Sequence, residues 1–197
     1  MEEKKIRCVI AKNINCCVGP HLIPPGRAAL VELRLLQKQN GHFVGSVWVN
    51  AEGGAAELYI RDGKERAKLI PQLKAYFSTV PGISHVYTNA EAQTLGLPAD
   101  TNTDQAPQLY LTAAPDYAFG ENANGPLALE LHEPRGQHGY LNSMPEMQAL
   151  FVASGAAIRP GIHLGMIPNL RVAPTIAMIL GVNLPAAEQP AIKEILR

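Results

Sequence analysis

Glycine-bearing breaks at Asn40-Gly41, Gly53-Gly54, Asp62-Gly63 and Pro81-Gly82 divide the middle of the chain into short, evenly patterned pieces. No other feature constrains the fold as strongly, because each break redirects the chain before an element can grow long. Asn40-Gly41 is the pair a two-residue hairpin turn prefers. Val44 to Val49, with the only tryptophan, Trp48, reads as a strand, and so does Ala55 to Ile60. Lys64 to Phe77 has helical spacing, with Ala67, Leu69, Ile70, Leu73 and Phe77 near one face. Pro71 falls inside that pattern and predicts a kink or a boundary. Ile83 to Tyr87 is a further strand. Thr88 can then cap a helix over Asn89 to Leu95, with Glu91 completing a capping box and Gly96 closing it. Residues 42–97 thus predict a compact strand–strand–helix–strand–helix unit.

The flanks are less regular. Leu30, Leu33 and Leu36 predict a short helix over Ala28 to Gln39. After a polar loop over 98–107, Leu109 to Thr112 reads as a strand, Ala113 to Pro126 as turns, and Leu127 to Leu131 as another strand. Gly136 to Pro145 is a loop rich in polar groups. Met147 to Ala153 reads as a buried strand, and Pro160-Gly161 as a turn. Val172 to Leu180 reads as a helix with Pro174 in its first turn and Gly181 behind it. A last helix is expected over Ala186 to Leu196. Strands alternating with helices place the chain in the α/β or α+β class.

Lys plus Arg and Asp plus Glu both total 17, so the formal net charge is zero. A nucleic-acid-binding chain needs a basic surplus, and none is present. The N-terminal residues, interrupted by Lys12, Asn13, Asn15 and Pro20, make a poor signal peptide. No run reaches the roughly 18 apolar residues of a membrane span, so the chain as it stands reads as soluble and cytoplasmic. Cys8, Cys16 and Cys17 crowd the start of the chain. Cys16-Cys17-x3-His21 admits a metal reading, with free thiols as the plainer one. There is no G-x-G-x-x-G, P-loop, H-E-x-x-H or G-x-S-x-G.

His138 stands apart among the six histidines. It lies in Arg135-Gly136-Gln137-His138-Gly139-Tyr140, on a loop, with a glycine close on either side. Glycine lets the backbone approach a neighbour closely, and a neutral imidazole is a common zinc ligand.

The residues around and after His138 follow an ordered series: Gln137-His138-Gly139-Tyr140, Met147-x3-Phe151, Gly155, Ala173-Pro174-Thr175 and Leu180-Gly181. With Ala51-Glu52-Gly53-Gly54, Gly82-Ile83, Leu95-Gly96-Leu97-Pro98 and Tyr117-Ala118-Phe119-Gly120, this series resembles the C-terminal end of a type I phosphodiesterase/nucleotide pyrophosphatase of the alkaline phosphatase superfamily. The resemblance covers roughly residues 35–197. It implies an α/β fold, a partial alkaline-phosphatase-like core with a small α+β insertion. The implied division is an atypical segment at 1–34, the insertion at 35–105 and the core portion at 106–197.

The resemblance also implies a chemistry. Such enzymes hydrolyse phosphoric esters and nucleotide pyrophosphates at two divalent metals, zinc in this reading, with a Thr or Ser nucleophile. Phosphonate hydrolases such as phosphonoacetate hydrolase are the nearest variant. His138 maps to one metal ligand, while Gln137 and Tyr140 map to loop-shaping neighbours. The departures are as informative. No segment here matches the nucleophile, so no catalytic residue is assigned. Where the family has a paired Asp-His-Gly ligand motif, this chain has Cys16-Cys17-Val18-Gly19-Pro20-His21. The expectation is a chain inactive alone. The alternative is a non-catalytic remnant, a pseudoenzyme, or a split-enzyme subunit that acts with a partner chain. A core portion lacking its upstream strands would also expose Leu109–Thr112 and Met147–Ala153 and tend to self-associate.

Overall fold

The computed structural model describes the backbone of residues 7–11, 17–18, 21–23, 26–99, 101, 105–120, 129–130 and 135–197, and side chains from residue 29 onward within those ranges, except at 129–130 and 135. Cys16, residues 121–128 and 131–134, and the side chains of Cys8, Cys17 and His21 lie outside the described residues, and with them the ends of the expected 127–131 strand. In chain order the elements are β1 (Arg7–Ala11), β2 (Cys17–Val18), β3 (His21–Ile23), α1 (Gly26–Glu32), β4 (Leu36–Gln39), β5 (His42–Gly45), β6 (Val47–Ala51), β7 (Ala55–Ile60) and α2 (Arg66–Phe77). Then follow β8 (Ile83–Thr88), α3 (Asn89–Ala92), β9 (Leu109–Ala113), β10 (Tyr117–Phe119), β11 (Leu129–Glu130), β12 (Arg135–Gly136), β13 (Leu150–Ser154) and α4 (Val172–Leu180). The chain forms two compact units, Asn13–Gln148 and Met1–Lys12 with Ala149–Arg197.

The larger unit is built on an antiparallel sheet in the order β6-β7-β9-β8. Val47, Val49, Ala56, Leu58, Ile60, Val86, Leu109 and Leu111 are buried on one face of it, in one apolar cluster with Leu69, Leu73 and Phe77 of α2. This is the alternation a half-covered antiparallel sheet requires. Gln108 closes the sheet end: its buried side chain accepts from the Ile60 N–H at 2.6 Å and donates to the Ala106 carbonyl at 3.1 Å. The expected Thr88–Glu91 capping box is present, and Gly96 follows in the left-handed region at φ 88°.

Some expectations change. The helix expected over Ala28 to Gln39 stops at Glu32, and Leu36–Gln39 instead pairs with His42–Gly45 through the Asn40-Gly41 turn. Asn40 and Gly41 both have positive φ, as that hairpin turn demands. The turn therefore overrides the leucine spacing. The strand expected from Val44 breaks at Ser46 into β5 and β6. Pro71 does not end α2, because it sits on the exposed side, where water can take the carbonyl it leaves unpaired. Ala67 is exposed as well. Leu109 and Leu111 are fully buried, since β9 lies between β7 and β8 and presents no edge.

In the smaller unit, β1 pairs antiparallel with β13. The strand expected to be buried over Met147 to Ala153 is confined to β13, and its Leu150 and Val152 are exposed. Ile158, Ile192 and Ile195 form a small cluster with Phe151 and Ala153 against it. α4 forms as expected, with Gly181 behind it at φ 70°. The last expected helix does not form: Ala186 to Leu196 holds only a 3-10 turn at Lys193–Ile195. Pro190 interrupts the segment, and the Arg171 guanidinium binds its carbonyl, that of Ala191 and the Glu194 carboxylate. Among the described residues no helix is long and apolar enough to cross a membrane.

Candidate functional site

His138 lies two residues beyond β12, on a loop that the larger unit holds by its backbone. β12 pairs antiparallel with β2, placing Gly136 opposite Cys17. The next three residues dock on Glu52–Gly54, the turn between β6 and β7. The Gly54 N–H donates to the His138 carbonyl at 2.7 Å. Gly53 and Gly54 also hold the sheet end, since Phe119 N–H donates to Gly53 O at 2.6 Å and Ala113 N–H to Gly54 O at 2.9 Å. One short segment thus joins β9, β10 and the His138 loop.

Glycine is required at this junction for space as well as for conformation. A Cβ on Gly139, which has φ +89°, would stand 1.8 Å from the Glu52 carbonyl oxygen. A Cβ on Gly54 would stand 2.3 Å from the Tyr140 ring. At Gly53, φ +68°, it would meet the His138 carbonyl oxygen at 2.6 Å. Tyr140 is buried, and its hydroxyl donates to the Tyr117 carbonyl at 2.5 Å. Tyr117 in turn lies where a Cβ on Gly82 would be, 2.3 Å away. The loop therefore rests on a run of close approaches with its backbone committed, while the His138 side chain stays exposed.

The importance of Gly53 and Gly54 as a dock was not legible from local pattern, where they read only as a break. Their one signal was the glycine pair beside a carboxylate, far from His138 in sequence. Among the described residues, no group of three or more His, Cys, Asp or Glu is arranged to hold a metal ion. One imidazole does not make a zinc site, which needs three or four ligands. The described residues alone therefore do not fit a bound metal.

No protein-family model matches the sequence, and no curated protein matches it significantly. Solved structures do. Murine ectonucleotide pyrophosphatase/phosphodiesterase 5 superposes with a TM-score of 0.59 at 16% identity, over 98% of this chain and 45% of that one. The chain has the fold of part of an ectonucleotide pyrophosphatase/phosphodiesterase. The human protein gives a TM-score of 0.60 at 13% identity, with 98% and 43% covered. An inactive form of the murine protein in complex with AMP gives 0.59 at 16%, with 98% and 45% covered. The chain therefore spans less than half the length of the structures it resembles.

Proposed function

We propose that these residues are the C-terminal portion of a metal-dependent phosphodiesterase or nucleotide pyrophosphatase, that His138 supplies one ligand of its metal site, and that the 197-residue chain does not hydrolyse phosphoric esters alone. The observation that carries this reading is the docking of the His138 loop on Glu52–Gly54, in a fold like that of ectonucleotide pyrophosphatase/phosphodiesterase 5. The residues that carry the sequence resemblance, Glu52-Gly53-Gly54 and His138-Gly139-Tyr140, are the ones that touch. The AMP complex of the murine relative supports a nucleotide as substrate class.

In a complete site of this kind His138 would help to hold a divalent metal, which would supply nucleophile activation and charge stabilisation. This chain's own part is to hold one exposed imidazole on a loop whose backbone is docked on Glu52–Gly54. The nucleophile and the other ligands come, in this reading, from a portion of polypeptide beyond these residues. The division at 34 and 105 belongs to the same proposal. The split-enzyme alternative differs only in placing that portion on a separate chain.

The test is hydrolysis of a nitrophenyl phosphodiester by the purified chain with added zinc. The expected result is no turnover above buffer. Saturable turnover that disappears in His138→Ala would overturn the reading that the chain is incomplete.

A further inference from the structure

The sheet face opposite α2 has a composition that its structural role does not require. Strand alternation and register put Trp48 and Asn50 of β6, Glu57 and Tyr59 of β7, Tyr110 and Thr112 of β9, and His85 and Tyr87 of β8 on this one face. Asn50, Glu57, Tyr110 and Tyr87 form a continuous row across all four strands, with Trp48 opposite Tyr59 beside it. Trp48 is 38% exposed, Asn50 and His85 are exposed, Glu57, Tyr59, Tyr110 and Tyr87 are half-buried, and Thr112, at the end of the face, is buried. A solvent-facing sheet surface is ordinarily polar. This one carries four large aromatic side chains, and the His85 and Tyr87 rings lie 4.4 Å apart.

Glu57 sits in the middle of these rings. Its carboxylate accepts from the Tyr59 hydroxyl at 2.6 Å and from the Asn50 amide at 3.5 Å. Asn50 also reaches Glu52 at 2.9 Å. A carboxylate has about four acceptor positions, so this one keeps capacity to spare. None of the face positions is Lys or Arg, and among the described residues no cation pairs with Glu57. Burial, then the nearness of Glu57, raises the hydroxyl pKa of both Tyr59 and Tyr110. Negative potential thus lies over aromatic faces that are themselves attractive to cations.

We propose that this face binds an arginine- or lysine-bearing segment of another polypeptide, with its guanidinium or ammonium group beside Glu57 and against the rings of Trp48, Tyr59 and Tyr110. Charge complementarity selects a cation. Shape selects a polypeptide over a free small ion, because small-molecule sites are concave, whereas this is a four-stranded face. Aromatic and arginine side chains are also the pairings that dominate protein interfaces. None of these residues belongs to the His138 loop, so the proposal stands or falls independently of the hydrolase reading.

Trp48, the only tryptophan, reports the event directly. Hexa-arginine titrated into the whole chain is expected to change its emission saturably, and hexa-glutamate is not. Glu57→Gln, which keeps an acceptor for Tyr59, is expected to weaken binding at least tenfold. Asn50→Lys, at an exposed position that a folded chain tolerates, supplies the cation internally and is expected to do the same. Wild-type affinity in both variants, no saturable change with hexa-arginine, or the full change from an equal concentration of guanidinium ion would each overturn the proposal.

Discussion

The backbone N–H of Gly54 donates to the carbonyl oxygen of His138 at 2.7 Å. Residues far apart in sequence are thereby fixed to one another, and the side chain of His138 remains exposed. This relationship explains why glycine occupies both sides of the contact. Gly54 leaves room for the Tyr140 ring, and Gly139 leaves room for the Glu52 carbonyl.

Gly139→Ala should therefore be severe. The new methyl meets a backbone atom, which cannot swing aside, and φ +89° disfavours any side chain by about 1–2 kcal/mol before the clash is counted. A loss of about 3 kcal/mol or more is expected in urea unfolding. Gly96→Ala makes the control: its φ is +88° but nothing lies within 4 Å of the added methyl, so about 1 kcal/mol is expected.

Gln108→Leu preserves volume but leaves the Ile60 N–H buried without its acceptor. A cost of about 1–3 kcal/mol follows from the stranded donor. The lowered midpoint should appear in thermal unfolding followed by circular dichroism.

The Glu91 carboxyl is held down to about 2, first by its hydrogen bond from Lys74 and then by the Thr88 backbone and hydroxyl. Its folded pKa is below its unfolded one. The stabilisation is therefore fully present above pH 4.5 and is lost as pH falls toward 2. The side chain is half in water, so solvent screening keeps the ion pair small. Glu91→Gln, which can still complete the capping box, should cost under about 1 kcal/mol at pH 7 through the lost Lys74 ion pair, and less at pH 2. Parallel urea titrations at the two pH values check the sign.

These contacts also show what sequence can reveal. The Asn40-Gly41 hairpin, the Thr88–Glu91 box and the Gly96 and Gly181 terminators are set by neighbours within a few residues, and all were legible. Residues Ala28 to Gln39 misled because Leu36, at helical spacing from Leu30 and Leu33, was captured by a hairpin whose turn came later. Ala186 to Leu196 misled because Arg171, distant in sequence, takes the carbonyls of that segment. The exposed loop position of His138 was legible from its flanking glycines. Its dock was not, since a backbone–backbone bond to Gly54 leaves no side-chain signature.

The smaller unit exposes Leu150, Val152, Met166, Leu170, Leu180 and Val182, with Met166 at 75%. Exposed apolar surface of this extent favours association. Light scattering is expected to show oligomers whose population rises with concentration, and Leu180→Lys with Val182→Lys should reduce it. A monomer at every concentration would count against this.

The most direct test is hydrogen exchange at the Gly54 amide in the intact chain. If the His138 carbonyl holds it, the amide exchanges as slowly as those paired between β7 and β9, and Gly139→Ala releases it while those pairs stay protected. A Gly54 amide that exchanges freely in the wild-type chain would contradict the account, because the His138 loop would then not be docked.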